Sequence, residues 1–167
     1  MDIARTLRHW VTTPRRVRRA FPEDALQRIR QAIVDSESAH SGEIRFAVEA
    51  ALPLSYLRRD APARERALMM FAKLRVWDTE HNNGVLIYVD LADRQIEIVA
   101  DRAIGARVSE DEWTAIATKM RDAFRARLFE SGAIEAIRAV GAVLARHFPI
   151  AEGQRNPNEL PDEPAVF

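Results

Sequence analysis

The run Val85-Leu86-Ile87-Tyr88-Val89-Asp90-Leu91 limits the fold of this chain more than any other segment. A strand with one face in water alternates apolar and polar residues. A nearly unbroken apolar run instead predicts a strand covered on both faces, inside a sheet. The short turn Ala92-Asp93 leads into a second strand, Gln95–Ala100. Strands joined so tightly pair antiparallel. If Leu91 and Arg94 are paired at the turn, counting outward sets Gly84 opposite Asp101.

The remaining elements are read from periodicity. Glu43 to Ala51 alternates, with Ile44, Phe46 and Val48 on one side and Arg45 and Glu49 on the other, which predicts a half-exposed strand closed by Pro53. Pro22 opens a helix with Glu23 and Asp24 in its first turn, and Leu26, Ile29 and Ile33 continue one face to about Ser38–Gly42. Asp60 is the expected cap of the next helix, with Pro62 in its first turn and Ala67, Met70, Phe71 and Leu74 as its apolar stripe. Ser109-Glu110-Asp111-Glu112 has the form of a capping box. A last helix is expected from about Glu130 to His147. The order predicts an α/β fold: a small mixed sheet, built from a parallel βαβ unit plus an antiparallel hairpin and covered by helices in an α/β/α sandwich-like arrangement.

Charge divides the chain into three parts. Residues 1–22 carry six arginines against Asp2 and form a basic arm; residues 23–149 form the domain; residues 150–167 carry Glu152, Glu159, Asp162 and Glu163 against Arg155 and form an acidic extended tail. The whole chain has formal net charge +0, which gives no signal for nucleic acid. The absence of cysteine excludes disulfides, zinc-thiolate sites and thiol nucleophiles. The basic N-terminus lacks an apolar h-region and is not read as a secretory signal, so the expected location is the cytoplasm, with peripheral association at the inner membrane. In the arm, Ile3, Leu7, Trp10 and Val11 sit at helical spacing before Pro14. Two readings stand. Either Trp10 and Phe21 pack on the domain with the arginines in solvent, or the arm meets an anionic membrane or acidic partner.

The hairpin register gathers oxygen donors at one sheet end. Asp78, Glu80, Asn82, Asn83 and Asp101 converge there, with Ser41 and Glu43 near. The candidate metal ligands are Asp78, Glu80, Asn82 and Asp101, and a set of oxygens suits calcium or magnesium. The alternative is structural: Asn82-Asn83-Gly84 as a turn entering the strand, Asp78 as its cap and Asp101 paired with an arginine. Trp77 is expected to anchor this loop in the core. Arg64, Arg66 and Arg102 could hold a phosphate, although Arg64 and Arg66 read more simply as a solvated helix face. The histidines share no metal-ligand spacing. Neither P-loop, GxGxxG, HExxH nor nucleophile elbow is present, so the sequence calls for no organic cofactor and identifies no catalytic nucleophile.

Gly42-Glu43-Ile44, Asn82-Asn83-Gly84-Val85-Leu86-Ile87-Tyr88, Arg94-Gln95-Ile96-Glu97-Ile98 and Ala100-Asp101-Arg102 together resemble the TPM domain family over roughly residues 23–149. His147-Phe148-Pro149 and Asn158-Glu159-Leu160-Pro161-Asp162 resemble a bacterial branch without a transmembrane helix. Where relatives commonly have Gly after the Asp-Arg pair, this chain has Ala103, so the usual turn is not expected there. The resemblance implies divalent-cation binding for some members, a phosphatase activity for others, and an envelope partner of the LemA type. The leading reading is a non-catalytic binding module acting with an envelope or membrane-associated partner. The alternative is a metal-dependent phosphatase. Oligomeric state is left open.

Overall fold

In a computed structural model, which describes residues 2–151 and 156–167, the apolar run is strand β2 (Val85–Asp90). It lies between β1 (Ile44–Glu49), parallel to it, and β3 (Gln95–Ala100), antiparallel to it. The hairpin register is the one read from the turn: Val85 faces Ala100, and Asp101 N–H donates to Gly84 O at 2.9 Å. A two-residue strand β4 (Ala165–Val166) lies parallel on the other side of β1, so the sheet order is β3-β2-β1-β4.

The helices follow the sequence signals with three additions. They are α1 (Ile3–Val11), α2 (Pro14–Ala20), α3 (Glu23–Glu37), α4 (Leu54–Arg58), α5 (Ala63–Lys73), α6 (Arg102–Gly105), α7 (Glu110–Arg125) and α8 (Phe129–His147). Pro14 opens α2 and therefore separates it from α1. Ser109 Oγ caps α7 by accepting Glu112 N–H at 3.3 Å. Helices α2, α4 and α6 were not expected. The last is one turn, capped by Asp101, and it contains Ala103. Asp60 does not cap α5. Its φ of 53° puts it in a left-handed turn, and Pro62 takes the N-cap position.

Two layers bury the sheet. Ile44, Phe46, Val48, Ile87 and Val89 pack with residues of α3, α7 and α8, and Phe21 joins them edge-on to Phe46 at 5.8 Å between ring centroids. Ala47, Leu86, Tyr88 and Val99 pack with Ala67 and Met70 of α5, Val76 and Leu160. The start of β2 is fixed by contact: a Cβ at Gly84 would lie 2.0 Å from Val76 O, so only glycine fits.

The first strand differs from expectation because every residue of β1 is buried. The second layer and the returning C-terminal segment cover the face that carries Arg45 and Glu49. Glu49 is matched there by Arg66 Nε at 2.8 Å and by Tyr88 Oη–H at 2.6 Å. Arg66 is thus an internal ion-pair partner and not part of a solvated face. Arg64 NH1 donates to Ile98 O of β3.

The expected acidic tail is extended and built into the domain, with Glu152 and Arg155 outside the described residues. Leu160 is buried, and its N–H donates to Glu43 Oε2 at 3.2 Å. Glu37 Oε1 accepts Ile44 N–H at 3.0 Å under the same cover. Burial, reinforced by neighbouring acids, pushes the Glu37 carboxyl up to about 9 and the Glu43 carboxyl up to about 7. The ordinary value is 4.5, so the folded chain keeps protons that the unfolded chain has released. This stability is full below pH 4.5 and is lost as pH rises through the folded values. The expected result is a falling Tm between about pH 5 and pH 9, with a flatter profile in Glu37→Gln, which retains the acceptor for Ile44. Thermal unfolding followed by circular dichroism across that range checks it; parallel profiles for the two proteins would contradict it.

Candidate functional site

Glu49 and Asp90 end the parallel strands side by side, and the β2–β3 turn follows at once. The carboxyl end of parallel strands is where open α/β sheets commonly form sites. Asp90 Oδ1 accepts Ala92 N–H at 3.0 Å and Asp93 N–H at 3.3 Å, which shapes the turn. Its Oδ2 is buried without a donor, and burial pushes the carboxyl up to about 7.

Helix α1 lies over this turn with its polar side inward. Arg5 Nε donates to Asp93 Oδ2 at 2.7 Å, Arg5 NH1 to Asp60 Oδ1 at 2.9 Å and Arg5 NH2 to Ala61 O at 2.8 Å. Arg8 NH2 reaches Asp93 Oδ1 at 3.3 Å. His9 is buried, and its Nδ1 accepts Leu52 N–H at 2.9 Å. A neutral ring with Nδ1 as acceptor carries its proton on Nε2. That nitrogen lies 3.0 Å from Asp93 Oδ1 but outside hydrogen-bond geometry, so the contact is a close dipole–charge pair. Burial lowers the His9 pKa and Arg5 and Arg8 add to this, against the pull of Asp93. Burial alone would raise the Asp93 carboxyl; Arg5 and His9 outweigh it and hold it below the usual range.

Among the described residues, His9, Asp90 and Asp93 form the one trio of His or carboxylate side chains whose donor atoms lie within 4.8 Å of one another. The chemistry does not fit a cation in this arrangement. A metal at His9 Nε2 requires the ring proton on Nδ1, where the Leu52 amide already donates. Arg5 and Arg8 also hold the same carboxylate that a metal would need. Asp93 serves instead, with Arg5, Arg8 and His9, as a clamp that fixes α1 to the hairpin. Sequence reading missed it, although two signals were present: Asp90 is the lone polar residue in the apolar run, and Arg5 and His9 are four apart on the side of α1 away from Leu7 and Trp10.

The residues expected to bind metal sit at the opposite sheet end. Asp78 and Glu80 are exposed, and Glu80 N–H donates to the Glu159 carboxylate at 3.0 Å. Asn82 has φ 50°, and its Oδ1 accepts Arg102 Nε at 3.1 Å and Arg102 NH2 at 2.8 Å. Asp101 Oδ1 caps α6 by accepting Arg102 N–H at 2.7 Å. These contacts are turn and cap roles, and Asp78, Glu80 and Asp101 do not form a converging trio among the described residues. Two features do fit an oxygen-seeking ion. Asp101 Oδ2 and Asn83 Oδ1 are buried acceptors without donors, on residues flanking the Gly84–Asp101 backbone bond. Trp77 is half-exposed and does not anchor the loop, because its neighbour Val76 fills the core position.

The clamp generates a direct expectation. Asp93→Ala removes the partner of Arg5, Arg8 and His9 together, while Phe21 and Val17 still hold α2. Trypsin should then cut after Arg5 and Arg8 at least about tenfold faster, as expected when a hydrogen-bonded charge network opens. Unchanged cleavage would show that α1 is held by other contacts.

The sequence matches the family model described as TPM domain over residues 18–143. No curated protein matches it. Among solved structures, the NMR structure of the BA42 protein from the psychrophilic bacterium Bizionia argentinensis sp. nov. is similar, with 30% identity and a TM-score of 0.74. The likeness covers 86% of this chain and 93% of that one. The matched segment contains the whole β1–β2–β3 core and most of α8, and on this ground the chain belongs to the TPM domain family.

Proposed function

We infer that this chain is a non-catalytic TPM-type binding module that meets an anionic membrane surface through α1, alongside an envelope partner. The observation that carries the reading is the orientation of that helix. Ile3, Leu7, Trp10 and Val11 are 77%, 55%, 82% and 59% exposed, and they form one stripe, while Arg5, His9 and Thr12 face the domain. A helix of a globular protein ordinarily buries such a stripe. Here the acidic turn holds the polar side, and the apolar side is left outward. Arg15, Arg16, Arg18 and Arg19 of the adjoining α2 are exposed and supply the cations that anionic headgroups attract. Trp10 beside arginines is also the composition of an interfacial helix. Among the described residues no helix is long and apolar enough to cross a membrane, so the contact proposed is with its surface.

The vesicle test uses the full chain. Sedimentation with anionic vesicles should be strong at low salt, weak with neutral lipid and reduced by about tenfold or more in Leu7→Gln/Trp10→Gln, since both side chains are already in water and their loss leaves the fold intact. Equal binding of the double variant and the parent would overturn the reading.

Calcium or magnesium dependence belongs to this proposal at the end of the sheet that holds Asp101, supported by the donorless oxygens of Asp101 and Asn83. The same oxygens favour the second reading, a metal-dependent phosphatase, with Arg102 beside them. One pair of measurements separates the two. Amide shifts around Gly84 and Asp101 induced by calcium should vanish in Asp101→Asn, which still caps α6. Magnesium-dependent hydrolysis of p-nitrophenyl phosphate, lost in the same variant, would favour the phosphatase; shifts without hydrolysis favour the binding module.

A further inference from the structure

We propose that the arginine-lined cavity between α2, α7 and the β2–β3 turn is a binding site for a ligand with clustered phosphates on an apolar or ring-containing body. The cavity measures about 740 Å³, within the range of ligand sites. Arg16 and Arg19 of α2, Arg94 of the hairpin turn, Arg121 and Arg125 of α7 and Arg127 of the α7–α8 turn line it. Four parts of the chain therefore bring six guanidiniums to one space, against Asp90 as the one acid in the lining.

These cations are largely uncompensated. Arg125 pairs with Asp122 at 2.7 Å, and Arg16 NH1 donates to Thr12 Oγ1 at 3.2 Å. Among the described residues no carboxylate lies within ion-pair distance of Arg16, Arg19, Arg94, Arg121 or Arg127. Arg121 Nε is buried without an acceptor. Like charges gathered in a concave space repel one another, and an anion of several charges relieves that cost. Guanidinium forks match phosphate oxygens in pairs, which makes phosphate the favoured anion.

Backbone conformation adds an independent observation. Arg94 and Arg127 have φ of 56° and 62°, in the left-handed region where glycine is the unstrained residue. Arg127 ends α7 at the position where glycine usually stands, with its N–H donating to Phe124 O at 3.0 Å. Both turns carry a long cation where the backbone favours none, and both line the same cavity. Val89, Ile96, Phe124 and Phe129 give that cavity an apolar wall. A wall of this kind suits the ring of a nucleotide or the body of a phosphorylated lipid headgroup. Asp90, the acid of the lining, has its Oδ1 held by two amides of the hairpin turn.

The cavity shares Arg16 and Arg19 with the basic surface of α2 but includes neither the apolar stripe of α1 nor the Asp101 oxygens. The test is Arg94→Gly/Arg127→Gly, which removes two cations while relieving both left-handed residues. The double variant should unfold at the same or a higher temperature than the parent. Calorimetric titration of the full chain with ATP and with pyrophosphate at low salt, and sedimentation with vesicles carrying phosphatidylinositol bisphosphate in a Leu7→Gln/Trp10→Gln background that removes the α1 contact, form the two arms. Saturable binding in either arm, weakened at least about tenfold by the double variant, is the expected result, on the scale of hydrogen bonds to charged groups. Weakening in the soluble arm assigns a free phosphorylated ligand; weakening in the vesicle arm alone assigns a headgroup. Absence of binding in both arms, or binding that the double variant leaves unchanged, overturns the site.

Discussion

The parallel pairing of β1 and β2 is the constraint on which the other elements depend. Parallel strands need a long crossover and leave both faces of each strand to be covered. The chain meets the first demand with α4 and α5, and the second with two helical layers. The contact of Gly84 with Val76 O fixes where β2 begins, and so fixes the register with both neighbours. From that register follow the side-by-side ends of Glu49 and Asp90, the hairpin turn beyond them and the docking place of α1.

Burying the pair also means burying charge, and the structure handles its two ends differently. At the carboxyl end Glu49 meets Arg66 and Tyr88 and Asp93 meets Arg5, while Asp90 keeps one buried oxygen without a donor. At the amino end Glu37 and Glu43 are held by backbone amides, and burial favours their neutral forms. A buried carboxylate without a cation is costly, and protonation is the less expensive state.

Much of the sheet was legible because its signals are local. The apolar run and the tight turn between β2 and β3 each act within a few residues, as does the Ser109 cap among the helices. The polar face of the first strand is buried against expectation because its cover comes from far along the chain: Arg66 seventeen positions on, and a segment near Leu160 more than a hundred positions on. The candidate metal set was a register argument, and the register is right. What the register could not supply is side-chain direction, and Asn82 and Asp101 turn toward Arg102 and its backbone amide. The clamp was legible in part. Helical spacing in the arm separates Leu7 and Trp10 from Arg5 and His9, but an amphipathic helix is ordinarily docked by its apolar side, and only the acidic turn reverses that choice.

The C-terminal strand has a role larger than its two residues suggest. Phe167 N–H donates to Val48 O and Ala50 N–H to Phe167 O, both at 3.0 Å, so residues 165–167 occupy the free edge of β1. On the other rim, Arg64 takes the outward carbonyl of Ile98. An uncovered parallel strand is a template for a strand from another molecule. Residues 165–167 thus act as an intramolecular stopper: a cleavage that removed them would bare the β1 edge and turn a self-contained sheet into one able to recruit extended peptides or copies of itself.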